Sequence, residues 1–129
     1  MSIRENEIAR VIVNTAVSIH RTFGPGLLES CYEAALEYDL RDLGFKVARQ
    51  RGLPVVYRSV RIQAGYRPDL VIDEQVIVEV KAIESIADVH RKQLLTYLKV
   101  SGLKLGLLLN FNVVLMKDGI IRMVNGLED

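Results

Sequence analysis

The sequence holds one cysteine, Cys31, in 129 residues, so no internal disulfide can brace the fold. A reducing cytoplasm fits such a chain, and Cys31 reads as a small buried residue on a helix rather than a reactive thiol. Long apolar runs are missing as well. No stretch approaches the roughly 20 residues that span a bilayer, so no membrane partner is expected. The charged opening, Met1-Ser2-Ile3-Arg4-Glu5-Asn6-Glu7, lacks a signal-peptide pattern. Charge of one sign is scarce overall: 17 basic against 16 acidic residues give a net +1, so the chain is not a polycation. Repeats, low-complexity stretches and linkers are absent, and residues 1–129 read as one domain large enough to bury a core.

The distribution of charge says more than its total. From Leu43 to Arg67 there are six basic residues (Lys46, Arg49, Arg51, Arg58, Arg61, Arg67) and no acid. One face could therefore be locally positive and suit a phosphate backbone. The plainer alternative is a set of solvated strand arginines.

The most informative stretch runs from Arg67 to Lys81 and reads as two strands joined by a tight turn. From Val76 to Ala82 the residues alternate. Val76, Val78, Val80 and Ala82 fall on an apolar face, and Ile77, Glu79 and Lys81 on the other. On the preceding strand Leu70 and Ile72 share a face, which leaves Asp69 and Val71 opposite. Opposed residues of an antiparallel pair lie on one face, so the turn length decides whether Asp69 joins Glu79 and Lys81. A two-residue turn at Glu74-Gln75 would oppose Asp69 to Val80 and split the cluster. A three-residue turn opposes Asp69 to Glu79 or Lys81, so the grouping predicts an odd-length turn or a bulge. Two carboxylates held close repel, and one takes up a proton unless a cation joins them. A divalent metal with oxygen ligands is the natural cation, with Lys81 at its edge.

The flanking segments supply the rest. Asn6–Phe23 carries Ile8, Val11, Ile12, Thr15, Ala16 and Ile19 at helical spacing, with His20 near its end as a capping or surface residue. The turn Phe23-Gly24-Pro25-Gly26 opens a helix over about Leu27–Leu43, with Gly44 as its stop. Leu28, Cys31, Tyr32, Ala35, Leu36 and Leu43 form its expected buried stripe. Lys46–Gln50, Leu53–Arg58 and Arg61–Ala64 read as strands, with Gly65 as a bend before a strand over Tyr66–Asp73. A helix over Asp88–Ser101 stops at Gly102, with Leu94, Leu95, Leu98 and Val100 among its core positions. Leu103–Phe111 is an apolar run of strand length. It is expected to be buried on both faces and parallel to the Val76–Ala82 strand. Val113–Lys117 and Ile120–Val124 read as a hairpin about Asp118-Gly119, whose edges could pair two copies as a homodimer.

Pro68-Asp69 followed by Glu79-Val80-Lys81 resembles the PD-(D/E)XK nuclease signature. The run Gly24-Pro25-Gly26-Leu27-Leu28-Glu29-Ser30-Cys31-Tyr32 resembles the motif of the GxxExxY proteins, a branch of that superfamily. Gln93-Leu94-Leu95-Thr96-Tyr97 matches its Q-x-x-x-Y element. The resemblance implies an α/β fold with a restriction-endonuclease-like αβββαβ core. That core is a mixed central sheet flanked by helices, here with an extra N-terminal helix and a C-terminal β-hairpin. It implies nuclease activity on nucleic acid, DNA being the expected partner, with Mg²⁺ or Mn²⁺ as cofactor. Glu29, Asp69 and Glu79, with the backbone carbonyl of Val80, would hold the metal. Lys81 would act on the attacking water. Gln93, Tyr97 and Arg67 would hold substrate, and Gly24, Gly26 and Tyr32 would shape the motif. A catalytically silent nucleic-acid-binding or protein-interaction module is the alternative. A purely structural cluster of acids around Lys81 is a third.

Overall fold

Alternation along Val76–Lys81 sorts the molecule into layers. The computed structural model describes residues 3–127. Its helices are α1 (Ile3–Phe23), α2 (Glu29–Asp42) and α3 (Asp88–Ser101). Its strands are β1 (Val47–Arg49), β2 (Leu53–Tyr57), β3 (Val60–Tyr66), β4 (Leu70–Ile72), β5 (Val76–Lys81), β6 (Leu105–Asn110) and β7 (Ile120–Val124). The main sheet runs in the order β1-β4-β5-β6-β7, with β5 and β6 parallel and the other neighbours antiparallel. A separate ribbon is formed by β2 and β3.

On one face of the sheet, Leu70, Ile72, Val76, Val78, Val80, Leu105, Leu107 and Leu109 pack against Ile8, Ile12, Ala16, Tyr32, Leu36 and Leu40 of α1 and α2. The opposite face places Val71, Ile77 and Leu108 against Leu94 and Leu98 of α3. Both faces of β5 and β6 are covered, which is why these strands read as apolar runs. Contact with α3 is close at Gly106, where an added Cβ would lie 2.8 Å from a methyl of Leu94. Gly102 ends α3 in the left-handed region at φ 77°, and its N–H donates to the Leu98 carbonyl at 2.9 Å.

The β4–β5 connection is the odd-length turn that the grouping of acids requires. Leu70 pairs with Val78 and Ile72 with Val76, leaving Asp73, Glu74 and Gln75 as the turn. Asp73 and Glu74 take positive φ, 52° and 58°. Side chains hold them there. Asp73 accepts from the Lys46 N–H at 2.8 Å and pairs with Arg4, and Glu74 pairs with both terminal nitrogens of Arg51 at 2.9 and 3.1 Å.

Several expectations are corrected. The Tyr66–Asp73 strand is interrupted: β3 ends at Tyr66, and β4 begins only at Leu70. Pro68 between them has no N–H to continue a ladder. Gly65 lies inside β3 rather than at a bend. Val113–Lys117 forms no strand. A loop and a 3₁₀ turn at Met116–Gly119 lead into β7, which pairs with β6 instead. Gly119 is needed there for contact: an added Cβ would meet the Asn110 carbonyl at 2.1 Å.

The buried stripe of α2 is Tyr32, Glu33, Leu36 and Leu40. Each residue turns about 100°, so burial of Glu33 rotates the stripe away from Cys31, which is exposed. Leu28 and Leu43 are the capping residues, 78% and 59% exposed, and Val100 also faces out. His20, expected at the surface, is buried, with its Nε2 2.8 Å from the Val113 carbonyl.

Candidate metal-binding and catalytic site

The register that pairs Leu70 with Val78 brings Asp69 beside Glu79. Two hydrogen bonds lock them across the strands. The Asp69 N–H donates to Glu79 Oε2 at 2.7 Å, and the Val80 N–H donates to Asp69 Oδ2 at 2.8 Å. Glu79 is only 4% exposed. Burial, and then the Asp69 charge, push its carboxyl up to about 8. Burial also raises Asp69, against the Val80 N–H bond that favours its ionised form. The Lys81 charge favours ionisation of both acids, but burial outweighs it and both stay raised.

Glu29 stands at the first position of α2, reached through Gly24 (φ 66°) and Gly26 (φ 114°). Tyr32 closes that loop from within. Its hydroxyl donates to the Gly24 carbonyl at 2.6 Å and accepts from the Leu27 N–H at 3.1 Å. Its ring stacks on Phe111 with centroids 4.4 Å apart. The glycines and the tyrosine are therefore one device that fixes where α2 begins. Glu29 Oε2 accepts from the Ala82 N–H at 3.1 Å, at the end of β5 just past Lys81. No hydrogen bond joins Glu29 to Asp69 or Glu79 among the described residues.

Sequence reasoning missed two residues here. Glu33, one turn after Glu29, is 5% exposed and its charge acts on both Asp69 and Glu79. Arg49 holds it with an Nε bond of 2.6 Å. Gln50 then bridges the cluster: its Nε2 donates to Glu33 at 3.0 and 3.1 Å and to Asp69 Oδ1 at 2.9 Å. A positive φ of 53° turns Gln50 toward these acids just after β1. The helical spacing of Glu33 from Glu29 was the available signal for the first. Gln50 gave none.

On α3, Tyr97 packs against Tyr66 with centroids 5.1 Å apart and hydrogen-bonds the Arg67 backbone. Burial, and then the nearby Glu79 charge, raise its phenol. Gln93 lies one turn earlier on the same helix and is exposed, as is the Arg67 side chain. His90 caps the start of the same helix, its Nδ1 accepting from the Ala87 N–H at 2.9 Å.

Among the described residues no group of three His, Cys, Asp or Glu side chains is arranged as a metal cage. The donor set nevertheless fits a small hard cation. Mg²⁺ is commonly held by one or two carboxylates, with water and substrate phosphate completing its shell. Asp69 and Glu79 are two such carboxylates, and burial raises the pKa of both. No helix among the described residues is long and apolar enough to cross a membrane.

Among known families, the model of the PD-(D/E)XK nuclease superfamily matches residues 6–123. No curated protein and no solved structure matches the chain.

Proposed function

This chain belongs to the PD-(D/E)XK nuclease superfamily, and from that premise we propose that it is a divalent-metal-dependent nuclease cutting phosphodiester bonds in DNA. The observation that carries the reading is the Asp69–Glu79 pair beside Lys81, Glu79 buried and Asp69 half-buried, with burial raising both carboxyls. Structural acids normally sit with enough cations or donors to stay ionised, because unpaired buried charge is costly. A bound Mg²⁺ or Mn²⁺ would supply Lewis-acid charge at the scissile phosphate and acidify a water.

The chain's own residues divide the remaining work. Asp69 and Glu79 hold the cation, with the Val80 carbonyl as a third oxygen. Lys81 projects from the same strand face as Glu79 and orients the attacking water as a compact charge. Glu29, at the end of β5, binds the outer part of that hydrated shell. Tyr97 and Gln93 position the phosphate from α3, and Arg67 meets the backbone of the substrate. Within the superfamily we assign the chain to the GxxExxY proteins, on the run from Gly24 to Tyr32. A cytoplasmic setting fits its exposed thiol at Cys31, and β7, at a sheet edge, is open to pairing with a second copy.

Cleavage assays with Mg²⁺ and Mn²⁺ on single-stranded, double-stranded and branched DNA test the reading. Wild-type protein should cut, and Asp69→Ala and Lys81→Ala should not. Full metal-dependent cleavage by Asp69→Ala would overturn the ligand assignment.

A further inference from the structure

The β2–β3 ribbon makes its extensive contacts only within itself. A two-stranded hairpin alone in water is marginal, yet this one exposes an apolar face. The register pairs Tyr57 with Val60 and Val55 with Ile62, and Tyr57, Val60 and Ile62 are 58%, 58% and 46% exposed. The neighbouring pair on the other face is Val56 with Arg61. Of the six basic residues between Asp42 and Asp69, Lys46, Arg49 and Arg51 are bound to Glu74, Glu33 and Glu37. Arg58, Arg61 and Arg67 take part in no ion pair among the described residues. The base of the ribbon runs into the acidic cluster, since Tyr66 packs on Tyr97 and Arg67 precedes Pro68-Asp69.

From these features we infer that the ribbon is an arm that enters the major groove of duplex DNA next to the bond being cut. This inference rests on the nuclease reading and narrows its substrate to double-stranded DNA. Charge selects the partner. Two copies of an arm bearing Arg58 and Arg61 outside any ion pair, and no acid, repel, whereas a polyanion releases counterions on binding. Shape selects the helix. The major groove of B-DNA, about 12 Å wide, admits a two-stranded ribbon. The deep, narrow major groove of duplex RNA does not. Single strands want open aromatic platforms. Tyr57 already has Arg58 stacked over its ring at 5.3 Å, and Tyr66 is packed on Tyr97.

The test is fluorescence anisotropy with chelator present, so that nothing is cut. The probes are a short DNA duplex, one of its strands, and an RNA duplex of the same sequence. The variant is Arg58→Asn with Arg61→Gln. Asparagine is chosen because position 58 has φ 57° and asparagine tolerates that region. Wild-type chain should prefer the DNA duplex at least about tenfold, and the double variant should lose most of that preference. Loss of two phosphate contacts should make the slope of log K against log salt shallower by about 1.8. Manganese binding at Asp69 and Glu79, measured by calorimetry, should stay unchanged.

Unaltered duplex affinity in the variant, or equal wild-type affinity for the single strand or the RNA duplex, would overturn the arm. So would a dimer that Val60→Lys splits without loss of duplex binding, which would make the ribbon a self-association face. Binding through the ribbon without cleavage under Mg²⁺ or Mn²⁺ would sink the nuclease reading and leave the arm. Cleavage by a variant that binds and cuts like wild type would do the reverse.

Discussion

Replacing Glu79 with glutamine should stabilise the metal-free protein at pH 8 and flatten its pH dependence. Glu79 is buried against Asp69, and in the folded chain its carboxyl loses its proton only at about 8, against 4.5 for a free side chain. Between those values the folded state holds a proton that the unfolded state has released. Stability therefore falls as pH rises from about 4.5 toward 8, then levels off. This is opposite in sign to the usual salt-bridged carboxylate, whose contribution is lost on acidification. At roughly 1.4 kcal/mol per pKa unit the full difference is on the order of 4–5 kcal/mol. Asp69, also raised, adds in the same direction. Glutamine cannot ionise, yet its carbonyl can still accept from the Asp69 N–H. Urea unfolding in EDTA from pH 5 to 8.5 measures the effect through the shift of the midpoint. The two proteins should be nearly equal at pH 5 and diverge above it, glutamine being the more stable. Mn²⁺ at pH 8 should recover the loss in wild type and do little for the variant, because binding requires the ionised acids. Parallel pH profiles, or a variant less stable at pH 8, would refute the account.

Three further outcomes follow from the same geometry. Gln50→Asn keeps a residue suited to φ 53° but shortens its reach to Glu33 and Asp69. Cleavage should drop about 10–100-fold, as when a partner of a metal ligand is lost, while thermal melts stay close to wild type. Tyr32→Phe keeps the stack on Phe111 but removes the bonds to Gly24 and Leu27. It should cost about 1–3 kcal/mol in urea unfolding. Gly106→Ala places a Cβ 2.8 Å from Leu94. It should destabilise by about 1–3 kcal/mol, and adding Leu94→Ala should relieve the clash but not restore wild-type stability.

The strands of the site were legible because a period of two is unforgiving. Once Val76, Val78 and Val80 are assigned to the core, Glu79 and Lys81 must face the other way, and only an odd turn brings Asp69 to them. The bounds of α3 were legible for a similar reason, since Gly102 alone could end it in the left-handed region. Glu33 was not legible. A hydrophobic stripe is drawn through leucines and cysteines, and the one signal for Glu33, its helical spacing from Glu29, does not nominate it for the interior until Arg49 and Gln50 are seen to hold it. The C-terminal hairpin failed because Asp118-Gly119 has two physical meanings. Glycine may supply a positive φ or merely clearance, and here the demand is clearance from the Asn110 carbonyl.

Pro68 shows how one local choice prepares the site. The Val80 N–H points toward β4, where it meets Asp69 Oδ2. A strand residue presents its N–H and C=O to the same edge, so the Val80 carbonyl faces β4 too. Continuing the register from Leu70–Val78 sets Pro68 opposite Val80. An ordinary residue there would donate its N–H to that carbonyl and seal the ladder, but proline has none. The ladder stops one residue before Asp69, and its last acceptor is left where two carboxylates converge. A polar backbone group at such a place needs a partner. A hard cation at the proposed site would satisfy it together with both carboxylates once they ionise. In the proposed site the proline and the aspartate would thus act together, the first withholding a hydrogen bond from the Val80 carbonyl and the second supplying charge beside it.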